Sequence, residues 1–303
     1  MTTTRPDRPR RCAVVVNPTK VREDFRALVT ERAAAAGWEE PLWLETSVHD
    51  PGRSMTRQAL AAEVDLVIGA GGDGTIRVVA DQMAGSGVPM GLVAAGTANL
   101  LARNLELPLT VEEAVDVALA GRSEAVDLIE LRVDGGPPEH FAVMAGVGVD
   151  AVIMDEVDDD LKAKVGPAAY FLAAGKAIGR LPVRMDISVD GGRRHRRRSV
   201  LCLIGNVGTL PGGMVLLPDA DAHNGLLDVY VASPHRLRDW LKLVVRLVTR
   251  RQRSDDPVDT WQGRRVEVQL AEPDSYQLDG DVVGECTRLS AQVKPGALRV
   301  CIP

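Results

Sequence analysis

The stretch Asp65–Gly74 reads DLVIGAGGDG, and Thr75 follows it directly. Leu66, Val67 and Ile68 form the kind of apolar run that makes a buried strand. The run enters Gly69, Ala70, Gly71, Gly72, Asp73 and Gly74, and a helical pattern resumes at Ile76. A strand–glycine–helix junction leaves backbone N–H groups open at a helix N-terminus, where phosphate binds well. Asp73 is the exception in this loop, because a carboxylate among such amides repels phosphate unless a cation or proton mediates. The combination points to a Mg²⁺–nucleotide site.

Elements with the same rhythm flank this stretch. Cys12–Val16 reads as a strand stopped by Asn17-Pro18, with Thr19 and Lys20 next and a helix from about Val21 to Ala36. Leu42–Glu45 is a second strand with Thr46 at its end, and Pro51-Gly52 opens a helix to about Glu63. Beyond the glycine loop a helix runs to about Ala84. Pro89–Ala94 is a strand ending in Gly96-Thr97-Ala98-Asn99, Leu100–Asn104 a short helix, and Thr110 caps a helix through Leu119. Strand–helix alternation implies an open, mainly parallel α/β sheet with helices on both faces. The loops at Asn17, Gly71 and Gly96 all fall at strand C-termini, the edge where such sheets bind ligands.

From about Ser123 the runs AVDLIELRVDG, HFAVMAGVGVD, RMDISVDGG and SVLCLIGNVG are separated by Gly, Pro and Asp turns. They read as antiparallel strands of a second, β-rich domain. A helical insert is expected at 167–180, preceded by a solvated acidic run at Asp155–Asp160. Arg193–Arg198 (RRHRRR) flanks a hairpin, either as a solvated edge or as a contact for anionic lipid. Residues 1–10 read as a disordered leader rich in Pro and Arg.

Residues 236–253, RLRDWLKLVVRLVTRRQR, place Leu237, Trp240, Leu241, Leu243, Val244, Val245, Leu247 and Val248 in one helical arc of roughly 200°. Arg238, Asp239, Lys242, Arg246, Thr249, Arg250 and Arg253 occupy most of the opposite side. Such a helix either packs on the β-domain with a basic outer face or lies on an anionic membrane.

At 303 residues, two domains are expected. Aromatics at 3% leave few stacking platforms, and a net charge of −6 further disfavours general nucleic-acid binding. Cys12, Cys202, Cys286 and Cys301 form no C-x-x-C pair and read as buried thiols of a reducing compartment. No signal-peptide core is present, and no run approaches the ~20 apolar residues of a membrane span. A cytoplasmic location is expected, with peripheral contact at the inner face of the membrane through 236–253.

Together with Asn17-Pro18-Thr19-Lys20 and Gly96-Thr97-Ala98-Asn99, the GGDGT loop resembles the diacylglycerol kinase catalytic-domain family of bacterial lipid kinases, related more distantly to sphingosine and NAD kinases. The resemblance continues through Leu161-Lys162 to Tyr170, Gly205-Asn206, Leu217–Asp228 and Leu278-Asp279-Gly280-Asp281. It implies a Rossmann-like ATP-binding domain at 11–122 completed by a returning segment at 292–303. It also implies a β-sandwich lipid-substrate domain at 123–291, with a cleft between the two. ATP contacts would come from Asn17, Pro18, Thr19, Lys20, Thr46, Gly71, Gly72, Gly74, Thr75, Gly96, Thr97 and Asn99. Asp281 matches the family's catalytic base, and a structural Mg²⁺ would be held by Asp221, Asn224 and the carbonyl of Leu226.

The chemistry that fits these residues is phosphoryl transfer, which needs alignment and charge compensation rather than covalent help. Asp73 would bind Mg²⁺, Asp281 would take the acceptor's hydroxyl proton, and Asp279 would orient that site or ligate metal. The expected reaction moves the γ-phosphate of ATP to diacylglycerol or a related membrane lipid, and a homodimer stays open. Arg77, Val78 and Asn224 depart from the family pattern, and Asp281 stands where glutamate is usual. A regulatory protein that has lost catalysis, or a soluble-substrate kinase such as NAD kinase, are the alternatives.

Overall fold

Parallel strands form the N-terminal sheet in the order β2 (Leu42–Glu45), β1 (Cys12–Val16), β3 (Leu66–Gly71), β4 (Pro89–Ala94). Arg299 and Val300 pair in parallel with Pro89 and Met90, so the chain's end completes this sheet. The structure is a computed structural model describing residues 8–148, 182–210, 214–234, 239 and 258–303. The chain forms two compact units, one containing residues up to Val126 plus Gly296–Pro303, the other Asp127–Pro295.

In the first unit β1 is buried along its whole length, as expected for CAVVV between two neighbours. Helix α3 (Asp73–Met83) buries Ile76, Val79, Ala80 and Met83, a spacing that sets one apolar face on a helix. Helices α1 (Phe25–Ala35) and α5 (Val111–Leu119) contribute Phe25, Val29, Val115 and Leu119 to a core with Val14, Ile68 and Val93. The remaining helices are α2 (Arg53–Ala61) and α4 (Leu100–Asn104).

Three sequence expectations shift here. Helix α1 starts at Phe25 rather than Val21, because the preceding residues turn back, with the Phe25 N–H donating to the Arg22 carbonyl. Strand β3 runs on to Gly71 and α3 begins at Asp73, one turn before Ile76, so the expected open glycine loop contracts to Gly72. Arg8 and Arg10 are not part of a disordered leader. Arg8 pairs with Asp65 at 2.9 Å, and Arg10 lies 4.3 Å over the Trp38 ring.

The second unit is antiparallel. β15 (Arg265–Leu278) pairs with β8 (Val183–Val189) and β16 (Asp281–Cys301), and its last residues pair with β7 (Met144–Val147). β7 continues through β10 (Leu201–Gly205) and β13 (Leu227–Ala232) to β14 (Val258–Gly263). β8 also pairs β9 (His195–Ser199), β5 (Ser123–Val133) pairs β16 and β6 (Pro138–Phe141), and the short strands β11 (Thr209–Leu210) and β12 (Met214–Val215) pair with each other. Alternation builds the core: Met185 and Ile187 of β8 and Val266, Val268 and Leu270 of β15 face inward onto Ile204, Val229 and Leu289. The fold is thus an α/β domain followed by a β-sandwich.

All four cysteines are free and buried. Burial pushes the Cys12 thiol up to about 11 and those of Cys202, Cys286 and Cys301 to about 12, so they are inert at neutral pH. Among the described residues no helix is long and apolar enough to cross a membrane. The expected insert at 167–180, the acidic run at Asp155–Asp160 and the Leu161–Tyr170 motif lie outside the described residues. So does the 236–253 segment apart from Asp239.

Candidate active site

Backbone hydrogen bonds tie the strand ends of the first unit together. The Asn17 N–H donates to the Ala70 carbonyl, the Thr46 N–H to Val16, and the Ala95 N–H to Gly71, each at 2.8 Å. The chain leaves β1 for β2 on one side and returns to β3 on the other, so Asn17 and Ala70 lie at the sheet's topological switch point. Asn17 Oδ1 accepts the Thr19 N–H at 3.1 Å and the Thr19 hydroxyl at 2.8 Å, a local turn that leaves Pro18, Thr19 and Lys20 exposed at its tip.

Helix α3 opens next to this turn. The first N–H groups of a helix lack intrahelical acceptors, and here they belong to Asp73, Gly74 and Thr75. Asp73 also carries its charge at the positive end of the helix. Its carboxylate reaches across to the next loop, where Oδ2 accepts the Asn99 N–H at 2.9 Å and Oδ1 the Leu100 N–H at 2.6 Å. The charge that looked misplaced in a phosphate loop thus holds two loops together. Each oxygen retains a second lone pair, a hard donor suited to Mg²⁺.

The two loops are also in backbone contact. A Cβ built on Gly96 would lie 2.9 Å from the Gly72 Cα, closer than a side chain can approach. Asn99 adopts φ +50° and its Oδ1 accepts the Gly96 N–H at 2.9 Å, locking the loop from inside. Thr97 is exposed and Thr75 buried, as are Thr46 and Asn99. Val78, which departs from the family pattern, packs in the buried face of α3.

The remaining sequence candidates lie in the second unit. Asp279 and Gly280 have φ +49° and +99°, and Leu278 pairs with Asp281, which makes Asp279-Gly280 a two-residue hairpin turn between β15 and β16. Asp279 is buried. Its Oδ1 accepts the N–H groups of Met144 at 2.9 Å and Val143 at 3.3 Å, so this carboxylate positions the turn. Asp281, first in β16, is exposed.

The turn expected to hold a structural Mg²⁺ is organised by its own hydrogen bonds. Asp221 Oδ1 accepts the His223 N–H at 3.0 Å, Asn224 Oδ1 accepts the Leu226 N–H at 2.8 Å, and Asp127 Oδ2 accepts the Gly225 N–H at 2.7 Å. Only one of the three expected donors carries a charge, which makes this turn a weaker match to Mg²⁺ than a site with two carboxylates. Among the described residues no cluster of three or more His, Cys, Asp or Glu side chains forms a metal site.

Three further residues outside the sequence candidates stand out, and the first of them links these turns. Asn206 donates from Nδ2 to the carbonyls of Asp127 at 2.8 Å and Ala142 at 3.0 Å, and its N–H donates to Val143 at 2.9 Å. Because Val143 donates to Asp279 and Asp127 receives from Gly225, hydrogen bonds run from the Asp279 turn to the Asp221 turn. Gly205-Asn206 was visible as a motif, but not this bridging role. Asp228 is buried, its Oδ2 has no partner among the described residues, and burial raises its carboxyl above the usual range. In the first unit, Asp50 accepts the N–H groups of Gly52, Arg53 and Ser54 at 3.0, 2.6 and 3.0 Å and so caps α2 beside Thr46.

Residues 11–131 match the diacylglycerol kinase catalytic domain, and residues 143–302 match the YegS C-terminal NAD kinase β-sandwich-like domain. The chain belongs to the diacylglycerol kinase and YegS-like lipid kinase family. It is 34% identical over 286 residues to a protein of Pseudomonas fluorescens named "Probable lipid kinase YegS-like", covering 93% of this chain and 91% of that one. It is 29% identical to a diacylglycerol kinase of Mycobacterium tuberculosis, covering 84% and 82% of the two chains. To a diacylglycerol kinase of Bacillus subtilis it is 27% identical, covering 91% of each. Among solved structures, a diacylglycerol kinase of Bacillus anthracis matches with a TM-score of 0.73 at 18% identity, over 98% of both chains. An NAD kinase of Archaeoglobus fulgidus matches with a TM-score of 0.55 at 13% identity, over 96% of this chain and 93% of that one. These structural likenesses concern the fold. As a member of this kinase family the chain uses a nucleotide as phosphoryl donor.

Proposed function

We propose that this protein is an ATP-dependent lipid kinase that transfers the γ-phosphate to the hydroxyl of diacylglycerol or a related lipid. The observation that carries the reading is the Asp73 bridge. One carboxylate, held by the N–H groups of Asn99 and Leu100, keeps the GGDGT and GTAN segments together at the carboxyl edge of the sheet. Family membership supports a lipid hydroxyl as acceptor.

In this mechanism the N–H groups of Asp73, Gly74 and Thr75 hold phosphate oxygens at the N-terminus of α3. The bare backbones of Gly72 and Gly96 let the nucleotide come close, while Thr19, Thr46 and Thr97 offer hydroxyls and Lys20 a positive charge. Asn17 and Asn99 shape their turns rather than binding phosphate directly. Mg²⁺, when bound, neutralises charge on the transferring phosphoryl group. Asp73 is the residue that would hold it. Asp281 accepts the proton of the attacking hydroxyl, and Asp279 fixes the turn that carries Asp281. No role is assigned to a metal at the Asp221 turn.

The test is transfer of labelled γ-phosphate from ATP to a panel of lipids in mixed micelles with Mg²⁺. Labelled phosphatidate or another lipid phosphate is expected, with loss of label in Asp73→Ala and Asp281→Asn. Binding of ATP with no lipid labelled would put a regulatory protein in its place, and labelled NADP from NAD would mark a soluble-substrate kinase.

A further inference from the structure

Strands β8 and β9 carry an arrangement that phosphoryl transfer does not use. Their register sets Arg184 directly opposite Arg198 and Asp186 opposite Arg196, all on the outward face. Directly opposed residues of an antiparallel pair have Cβ atoms about 5 Å apart, and like charges there are destabilising. Arg196 pairs with Asp186 at 3.3 Å, and Arg197, on the other face, pairs with Asp259 at 2.6 Å. Arg184 and Arg198 make no ion pair among the described residues. The four arginines, with Asp186, Met185, Gln269 and Leu270, line an open depression of about 450 Å³, in which the one carboxylate, Asp186, is paired with Arg196.

We infer that Arg184 and Arg198 form a binding site for the phosphate of an anionic phospholipid at a membrane surface. Two guanidiniums on adjacent strands present planar donor forks that a phosphate can bridge, which turns a repulsive pair into a bound one. The depression is open, as suits a headgroup approached from a flat bilayer. Exposed Arg193 and Arg194, in the connection between the two strands, add positive potential beside it. The site is distinct from the Asp73 loops and works without ATP or catalysis.

The experiment is sedimentation of the full chain with vesicles of equal parts phosphatidylcholine and phosphatidylglycerol, against vesicles of phosphatidylcholine alone. Binding to the anionic vesicles only is expected, with Arg184→Gln/Arg198→Gln weakening it by about 100-fold or more, beyond the ~30-fold that two diffusely attracted charges supply. The same charge change placed outside the depression, Arg193→Gln/Arg194→Gln, should weaken it by about 30-fold at most, the loss expected of diffuse attraction. Equal losses in the two variants would mean diffuse attraction and overturn the site. Binding of inorganic phosphate that is lost in Arg184→Gln/Arg198→Gln, with no vesicle binding in the wild type, would make it a site for a soluble anion and overturn the lipid assignment. Folding is checked by the thermal midpoint, which should hold or rise in Arg184→Gln/Arg198→Gln because a like-charge pair is removed. A fall in that midpoint would show that the pair is not strained and would also overturn the inference.

Discussion

Asp73 Oδ1 accepts the backbone N–H of Leu100 at 2.6 Å, so one acidic side chain joins the start of α3 to the first turn of α4. Its second oxygen does the same for Asn99. Asp73→Asn keeps the shape but turns an NH₂ group toward a backbone donor. Hydrogen bonds to a charged group contribute about 1.5–3 kcal/mol each, so a loss of about 2 kcal/mol in stability is expected together with loss of kinase activity. Denaturant unfolding and the labelled-phosphate assay check the two effects. An active, fully stable Asp73→Asn would remove the bridge from the mechanism.

Gly96 faces the Gly72 Cα across the two loops with no room for a methyl group. Gly96→Ala should push the loops apart and weaken ATP binding by about tenfold or more, since small misplacements in such sites have large effects. Calorimetric titration with ATP measures this. Gly85→Ala, where a Cβ meets nothing within 4 Å but φ is +71°, controls for backbone strain alone.

Asp279 and Asp281 should separate in their effects. Asp281 is exposed, so Asp281→Asn should abolish lipid phosphorylation and leave the thermal midpoint nearly unchanged. Asp279→Ala leaves the buried N–H groups of Val143 and Met144 without their acceptor, which costs about 1–3 kcal/mol and lowers the midpoint as well. If both variants behave alike, the division into base and positioning residue fails.

Asp50 carries a pH signature. A hydrogen bond from the Ser54 side chain, then the backbone N–H groups of Gly52, Ser54 and Arg53, hold its carboxyl down at about 2. Its folded value lies below the unfolded one of about 3.9, so its contribution is full above pH 4 and is lost as pH falls toward 2. Asp50→Asn should therefore be less stable than wild type at pH 7, with the gap closing at low pH. A carboxyl resonance titrating near 4 in NMR would contradict this.

Asp228 should show the opposite sign. Burial raises its folded value above the unfolded one, with the Gln262 side chain opposing and Asp219 adding to the shift. The stabilising protonated form is fully present below the unfolded value and lost as pH rises through the folded one. Asp228→Asn should then match or exceed wild-type stability at neutral pH and lose that advantage in acid. Chemical unfolding at two pH values decides it.

Much of the first unit was legible in the chain. The strands at Cys12–Val16, Leu42–Glu45 and Pro89–Ala94 and the helix at Leu100–Asn104 match their expected bounds, because apolar runs closed by Asn-Pro, Gly and Asn leave few alternatives. The start of α3 was less legible. Gly and Asp have weak helix propensity, and Gly72–Gly74 reads as loop until the helix it opens is anchored by packing of Ile76 and Val79. Asp279 illustrates a different limit. Asp-Gly signals a hairpin and also fits a catalytic motif, and the chain does not reveal that this carboxylate turns inward to residues 135 and 136 positions away.

The sequence by itself determined an α/β unit followed by a β-rich one and the glycine-rich strand–helix junction around Gly71 and Gly72, since hydrophobic period and glycine placement are local properties. Tertiary structure decided what each charged group does. Asp73 became a bridge, Asp279 a positioning residue and Asp50 a cap, while Arg184 and Arg198 became a like-charged pair. Each role depends on a hydrogen bond or strand register between residues distant in sequence or on the local turn geometry around them, and side-chain type alone carries no information about which backbone N–H it will meet.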